Sequence, residues 1–496
     1  MTKQVKAFVR ALLLLMWVGT APAAIPTATG DLQAYLEGID YGVAEDGRFK
    51  IPTPDQQIKF GQVVLLILQG NYELAHEWAA ELGFEVVAWT DTRSSQLYYL
   101  LRELNPIPSP LANGGGWYVF RPSATYNVAI RAPHPVHDMR TGLEAITTFM
   151  ASDARYLMLA GTHRRSHPDP STCQDFQDYR PSDAVHNAAH YYFVAHRVME
   201  DFDPRIHYVE LHGYGSAGLE AIASQCDTGG NLAVIEMSET LPDVDADGYT
   251  LMHVLHSIIS NDGEFVSCIY SPVLDTGPGD KYSHHYGATT NVPGRYTNGS
   301  PSVCDTPALT EDNTHRFLHL EQSWEIRSST DNREKMAAYI NQAISDYYDN
   351  RPFEINAGLN DAWYYPVTDG QGFFITVFPD LEKVSLSWFT YDTDHPPLDA
   401  IANFGYAGHR WATALGRYSG NQAVMNIKIA SGGLFDTPAG EAEVTQVRDG
   451  TIVLTFDSCN SGTVEYDIPS IRQTGVIPIQ RIAGDNIALC EALLKD

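Results

Sequence analysis

YNVAIRAPHPVHDMRTGLEAITTFMASDARYLMLA, residues 126–160, holds two strand-length apolar runs with a helix-length run between them. Tyr126–Arg131 and Arg155–Ala160 read as strands, and Thr141–Ala151 reads as a helix. The same alternation continues toward the C-terminus. His207–Leu211, Leu232–Glu236 and Phe317–Glu321 are further strand candidates; Ser182–Met199, Tyr249–Ser260 and Asn332–Tyr348 are helical candidates. Apolar, mostly two-sided strands alternating with helices predict an α/β fold, a mixed and mostly parallel sheet covered by helices on both faces.

The pattern changes after Asn350-Arg351-Pro352, where helices stop. Gly372–Pro379 and Val384–Tyr391 are strand-like, the second alternating Val384, Leu386 and Trp388 against Ser385 and Ser387. Thr451–Phe456 and Thr463–Ile468 flank the turn-rich Asp457–Gly462, a hairpin signal. Residues 353–496 are therefore expected to form an antiparallel all-β domain, sandwich or barrel. Its Trp363, Tyr364, Tyr365, Trp388 and Trp411 suit either a sugar-binding face or the β core.

The N-terminus reads as an export signal over residues 1–23. Lys3, Lys6 and Arg10 precede the apolar run Ala11–Val18, and Ala21-Pro22-Ala23 fits a small-residue cleavage site. That run is shorter than the roughly 20 residues a membrane span needs. The expected mature chain starts near Ala24, is periplasmic or extracellular, and has no stable membrane insertion. Residues 24–352 then form the α/β domain. The net charge is −29, and removing the three basic residues of the leader leaves 29 Lys and Arg against 61 Asp and Glu. Such acidity opposes nucleic acid and anionic membranes as partners.

Six cysteines occur, none in a C-x-x-C pair, which disfavours a cysteine zinc site. An even number in an exported chain favours disulfides. With a boundary near residue 353, Cys459 and Cys490 are left to pair with each other. Cys173, Cys226, Cys268 and Cys304 keep three possible connectivities.

Chemistry is expected where loops leave the carboxyl ends of strands, since ligands bind there in open α/β sheets. A catalytic zinc needs three protein ligands, usually histidines and carboxylates, and one open position. Three strand ends offer such groups. YNVAIR runs into Ala132-Pro133-His134-Pro135-Val136-His137-Asp138; HYVEL ends in His212-Gly213-Tyr214-Gly215, whose glycines allow a sharp turn; FLHLE ends at Glu321 before the last helix.

This order of a short-spaced pair, a distant histidine and a later carboxylate resembles the zinc carboxypeptidase superfamily over roughly residues 70–350. Within it the likeness is to N-formylglutamate amidohydrolases and succinylglutamate desuccinylase-like enzymes. The resemblance implies a phosphorylase/hydrolase-like fold, zinc held by His134, Asp138 and His212, and Glu321 as the base that activates water. It also implies that GTHRR (Gly161–Arg165) and ATTNVPGR (Ala288–Arg295) grip a substrate carboxylate, through Arg164, Arg165, Asn291 or Arg295. The family's first pair is His-x-x-Glu, whereas here the third position is His137 and the carboxylate stands one further on. His137 is thus the alternative third ligand. NAGLNDAWYYP, WFTYD and IPIQRI resemble an accessory domain recurring in secreted bacterial proteins.

The resemblance implies hydrolysis of a peptide or N-acyl amino acid amide, with one zinc ion per chain. Other candidates lie nearby. His186 and His190, four apart on the expected helix 182–199, would share one face; Asp183 and His186 fit the rim, as groups that hold a metal ligand in place or touch the substrate. Asp243, Asp245 and Asp247 resemble the start of a calcium loop, but its twelfth position is Val254 rather than Glu. Glu236 is a second candidate for the catalytic carboxylate. No G-x-S-x-G elbow, P-loop or dinucleotide fingerprint occurs. The competing class is a non-catalytic binding or attachment protein on a degenerate hydrolase scaffold, with a carbohydrate- or surface-binding β domain.

Overall fold

The computed structural model describes residues 24–104, 114–174, 178–243, 248–274, 281–283, 285–350, 353–402, 405, 407–438 and 443–495. The leader read over residues 1–23 lies outside them, as do Asp245 and Asp247 of the calcium-like turn. The chain divides into two compact units, one ending at Tyr347 and the next beginning at Tyr348. Among the described residues no helix is long and apolar enough to cross a membrane.

The first unit carries an eleven-stranded sheet. Its strands are β1 (Thr27–Gly30), β2 (Phe84–Asp91), β3 (Leu97–Glu103), β4 (Trp117–Phe120), β5 (Tyr126–Ala132), β6 (Ala154–Leu159), β7 (His207–Gly213), β8 (Val234–Ser238), β9 (Val266–Tyr270), β10 (Tyr282–Ser283) and β11 (Phe317–Gln322). Their spatial order is β1-β2-β3-β4-β6-β5-β7-β11-β8-β9-β10. The four central strands β6-β5-β7-β11 are parallel, so their carboxyl ends open together, and β8 runs antiparallel to β11. Strands β5 and β7 are buried almost throughout, as their two-sided apolar sequences require. Helices Pro54–Leu68, Tyr72–Ala80 and Tyr191–Phe202 share one core with Phe84, Tyr118 and Tyr208. Each large apolar side chain buried there, Phe60 for example, stabilises the fold by about 1.5–3 kcal/mol relative to exposure.

One expected helix is much shorter than its sequence suggests. Ser182–Met199 becomes helical only at Tyr191, with His190 as N-cap accepting from the Tyr192 N–H at 3.0 Å. Before it, Asp183 and Asn187 accept from the backbone two residues on, at Val185 and Ala189. Such local side-chain bonds compete with helix formation. His186 and His190 therefore do not share a helical face. Strands β1 to β4 and the first three helices had no counterpart in the sequence reading.

The second unit is a closed antiparallel barrel of eight strands. They are β12 (Asp361–Tyr364), β13 (Gly372–Phe378), β14 (Lys383–Tyr391), β15 (His409–Ser419), β16 (Gln422–Ser431), β17 (Thr445–Ser458), β18 (Ser461–Ile468) and β19 (Gln473–Arg481). Between sandwich and barrel, the chain adopts the barrel. The hairpin expected around Asp457–Gly462 is β17–β18, with a register irregularity between Phe456 and Ser458. The five aromatics do not form one sugar-binding face: Trp363 is fully buried and Trp388 nearly so, while Trp411 is 55% exposed.

Three disulfides join Cys173 to Cys304, Cys226 to Cys268 and Cys459 to Cys490. They are what an oxidising compartment allows. Mass spectrometry of a non-reduced digest is expected to recover the Cys459 and Cys490 peptides linked. Free thiols at both positions would contradict that pairing.

Candidate metal centre

His134 leaves β5 on a turn whose geometry brings Asp138 back beside it. The Asp138 N–H donates to the His134 carbonyl at 3.1 Å, and Thr141 Oγ1 donates to the same carbonyl at 3.2 Å. Gly142 makes the turn compact, since a Cβ there would stand 2.7 Å from the Pro135 Cβ. His212 lies within β7 rather than beyond it, in register with Glu321 of β11. Neither Gly213 nor Gly215 has positive φ, so they do not provide the expected sharp turn. Instead a Cβ on Gly213 would collide with the Arg327 guanidinium at 2.2 Å.

Both histidines point Nδ1 at one oxygen. His134 Nδ1 and His212 Nδ1 each lie 3.1 Å from Asp138 Oδ2. Ligand atoms about 2.0–2.1 Å from a tetrahedral ion stand roughly 3.3 Å from one another, so these separations fit one shared zinc. The outward nitrogens are equally well placed. His134 Nε2 meets Asp183 Oδ1 at 2.9 Å, and His212 Nε2 meets Glu210 Oε1 at 3.1 Å. A carboxylate on the far nitrogen fixes the tautomer and ring orientation of a metal-binding histidine. Each carboxylate has its own cation: Arg164 bonds Asp183, and Arg131 stands 3.0 Å from Glu210. Asp138 and Glu321 have no such arginine bonded to them among the described contacts, which leaves negative charge for a divalent ion to balance.

The electrostatics follow from this packing. Burial would raise the Asp138 carboxyl, but the adjacent His134 and His212 hold it well below the usual carboxylate range. Burial would lower His212, yet its bonds to Asp138 and Glu210 push it up to about 10. Glu321 is raised above the ordinary range, chiefly by burial and further by Asp138 and Glu236, with His212 opposing. A raised carboxyl is suited to accepting and returning a proton.

Glu321 lines a polar cavity of about 370 Å³ together with His134, His212, Arg164, His186 and Asn291. Glu236, its cross-strand neighbour on β8, is already engaged, accepting from the backbone N–H groups of His285 at 3.2 Å and Tyr286 at 3.0 Å. His137 sits apart from the cluster, its Nδ1 3.3 Å from His163 Nε2. Asn291 donates to Glu210 at 2.6 Å and braces the His212 partner from the cavity side. His186 stacks on Tyr179 and bonds Gln174 at 2.7 Å; burial lowers its imidazole to about 3. Arg295 lies outside the cavity lining and spends its donors on the carbonyls of Thr289, Val303 and Cys304. Arg165 is exposed and also outside that lining. Asp243 of the calcium-like turn bonds His253 at 3.1 Å.

Three residues escaped the sequence reading. Glu210 and His319 precede His212 and Glu321 by two positions, so they share the same face of β7 and β11. In register they form a row with Arg131 of β5: Arg131 opposite Glu210, and Glu210 opposite His319. A charged or imidazole side chain inside an otherwise apolar strand, two residues before a candidate site residue at Glu210 and His319 and three before one at Arg131, was the available signal. His212, His319 and Glu321 form a second group whose ligand atoms lie within 4.8 Å of one another.

Comparison with protein-family models, with curated proteins and with solved structures returns no significant match.

Proposed function

We propose that the first unit is a zinc-dependent hydrolase of an amide bond in a peptide or N-acyl amino acid, acting outside the cytoplasm. The reading rests on one observation: two histidines converge through Nδ1 on Asp138 while separate carboxylates hold their Nε2 atoms. The resemblance to the zinc carboxypeptidase superfamily supports it. Zinc bound there would supply Lewis acidity and lower the pKa of a water to about 7. Glu321 takes the proton from the attacking water and returns it to the leaving amine. Arg164 places positive charge at the cavity wall, where a developing oxyanion or a substrate carboxylate would rest. The volume near 370 Å³ suits a small amide or a peptide end.

The test is elemental analysis of the purified mature chain with an activity screen over N-acyl amino acids and peptides, with and without chelator. We expect about one zinc per chain and chelator-sensitive turnover. His212→Ala should lose most of the zinc. Absence of any transition metal in wild type after zinc is supplied would overturn the enzyme reading.

A further inference from the structure

The ladder between β5 and β7 ends with Arg131 opposite Glu210. His134 and Asp138 come after that point, on a loop, whereas His212 and Glu321 still lie side by side in the β7–β11 ladder. Yet Asp138 Oδ2 stands 3.1 Å from His212 Nδ1. The hydrogen bonds of the sheet do not set that separation, so the loop needs another anchor.

Arg327 supplies it from the short helix Trp324–Ser328, which follows β11. The side chain is buried. Its Nη1 donates to the Met139 carbonyl at 2.7 Å, Nη2 to the Tyr214 carbonyl at 2.9 Å, and Nε to the Gln322 carbonyl at 3.2 Å. Met139 directly follows Asp138, Gln322 directly follows Glu321, and Tyr214 stands two positions beyond His212. The Tyr214 N–H also donates to the Gln322 carbonyl at 3.0 Å. A planar guanidinium carries its donors in a rigid fork that can reach three carbonyls at once; the single ammonium of lysine cannot span them. Gly213 gives the fork its place. A Cβ there would stand 2.2 Å from the Arg327 Cζ, and a side chain held by three bonds cannot step aside without giving them up. Arg333 in turn donates to the Arg327 carbonyl at 2.8 Å.

We propose that Arg327 is a positioning residue of the metal centre, fixing the Asp138 loop against His212 and Glu321 so that the ligands stand at metal-binding distance. Its role rests on the zinc reading, while the anchoring of the loop can be measured in the metal-free chain.

The experiment compares wild type with Arg327→Met, Arg327→Lys, Gly213→Ala and Arg121→Met, each as the full mature chain. Zinc affinity is read by competition with a chromophoric chelator. Hydrogen exchange of the metal-free proteins is followed over peptides spanning residues 133–142 and 212–217. Arg327→Met should weaken zinc binding roughly 10–100-fold, as loss of an outer support of metal ligands does, and should speed exchange in both peptides. Arg327→Lys should do no better, because it keeps the charge but not the fork. Gly213→Ala keeps the arginine and displaces it, and should move both readouts in the same direction. This variant decides the matter if Arg327→Met does not fold. Arg121 is the control. It is also buried and donates to the carbonyls of Phe149 and Ser152, while its own N–H bonds Arg155 near the amino end of β6. Arg121→Met should lower Tm and leave zinc affinity unchanged.

Wild-type zinc affinity in both Arg327→Met and Gly213→Ala would overturn the positioning role. So would full affinity in Arg327→Lys, which would make charge alone the cause, or an equal loss in Arg121→Met, which would make it general destabilisation. Unchanged exchange in Arg327→Met, in a protein whose wild type does bind zinc, would overturn this role alone. Absence of zinc from wild type would overturn the metal reading and this role with it.

Discussion

Glu321→Gln is expected to keep the zinc content of the protein close to wild type while turnover falls by roughly 10²–10⁴-fold, the usual worth of general acid–base catalysis. Glutamine preserves size and can still hydrogen bond, but it cannot take a proton. Since Glu321 is not one of the three groups converging on a shared ion position at Asp138, metal should remain. His134→Ala should lower metal and turnover together, and Asp138→Asn should cost more metal than His137→Ala, because His137 is turned toward His163. Glu236→Gln is the control. Its carboxylate holds two backbone N–H groups, so its effect should be mild. Activity killed by Glu236→Gln and spared by Glu321→Gln would show that the base has been assigned to the wrong strand.

Arg131→Met should have the largest effect on stability. The guanidinium is fully buried and faces the equally buried Glu210 at 3.0 Å. It is ringed by Tyr192, Phe317 and Tyr208, with distances of 4.8, 5.0 and 5.3 Å to their centroids. Methionine keeps much of the apolar contact but leaves Glu210 charged in a dry interior. Breaking a buried pair from one side typically costs about 3–5 kcal/mol, readable as a shift in urea midpoint at unchanged slope. Zinc affinity should weaken by roughly 10–100-fold, because Glu210 is the group that aims His212. The double variant Arg131→Met/Glu210→Gln removes both charges and should recover most of the stability but not the metal affinity. If Arg131→Met costs nothing, Glu210 is not held charged, and the support assigned to His212 fails with it.

The part of the site that could be read from sequence is the part that lies on strand ends. His134 and Asp138 follow a clear apolar run and stand among prolines, and Glu321 closes another run just before a helix. His212 was found although its strand runs further than expected, because its neighbours Gly213 and Gly215 mark the end well enough. Glu210, His319 and Arg131 were hidden inside the runs that defined β7, β11 and β5. Their role depends on which strands lie side by side, and the order β5-β7-β11 places strands distant in sequence next to one another. The same limit hid the helix start at Tyr191. Side-chain bonds from Asp183 and Asn187 defeat an otherwise helical pattern, and they are visible only once the chain is folded. In the barrel, β13 declared itself as a strand-like apolar run and β14 by alternation. β19 carries Pro478 and Gly475, which break that signal, yet it pairs along its length with β18.

The pairing of the first four cysteines has a consequence for how the protein must be made. Cys226–Cys268 is nested inside Cys173–Cys304, so Cys173 is not bonded to the next cysteine along the chain. An oxidase acting on cysteines in the order they emerge during export would join Cys173 to Cys226 first. Reaching the native pairs from there requires that bond to be broken by thiol attack and reformed. Yield of correctly bridged protein should therefore depend on a disulfide isomerase in the producing cell, and cytoplasmic expression followed by air oxidation should give a mixture of scrambled isomers.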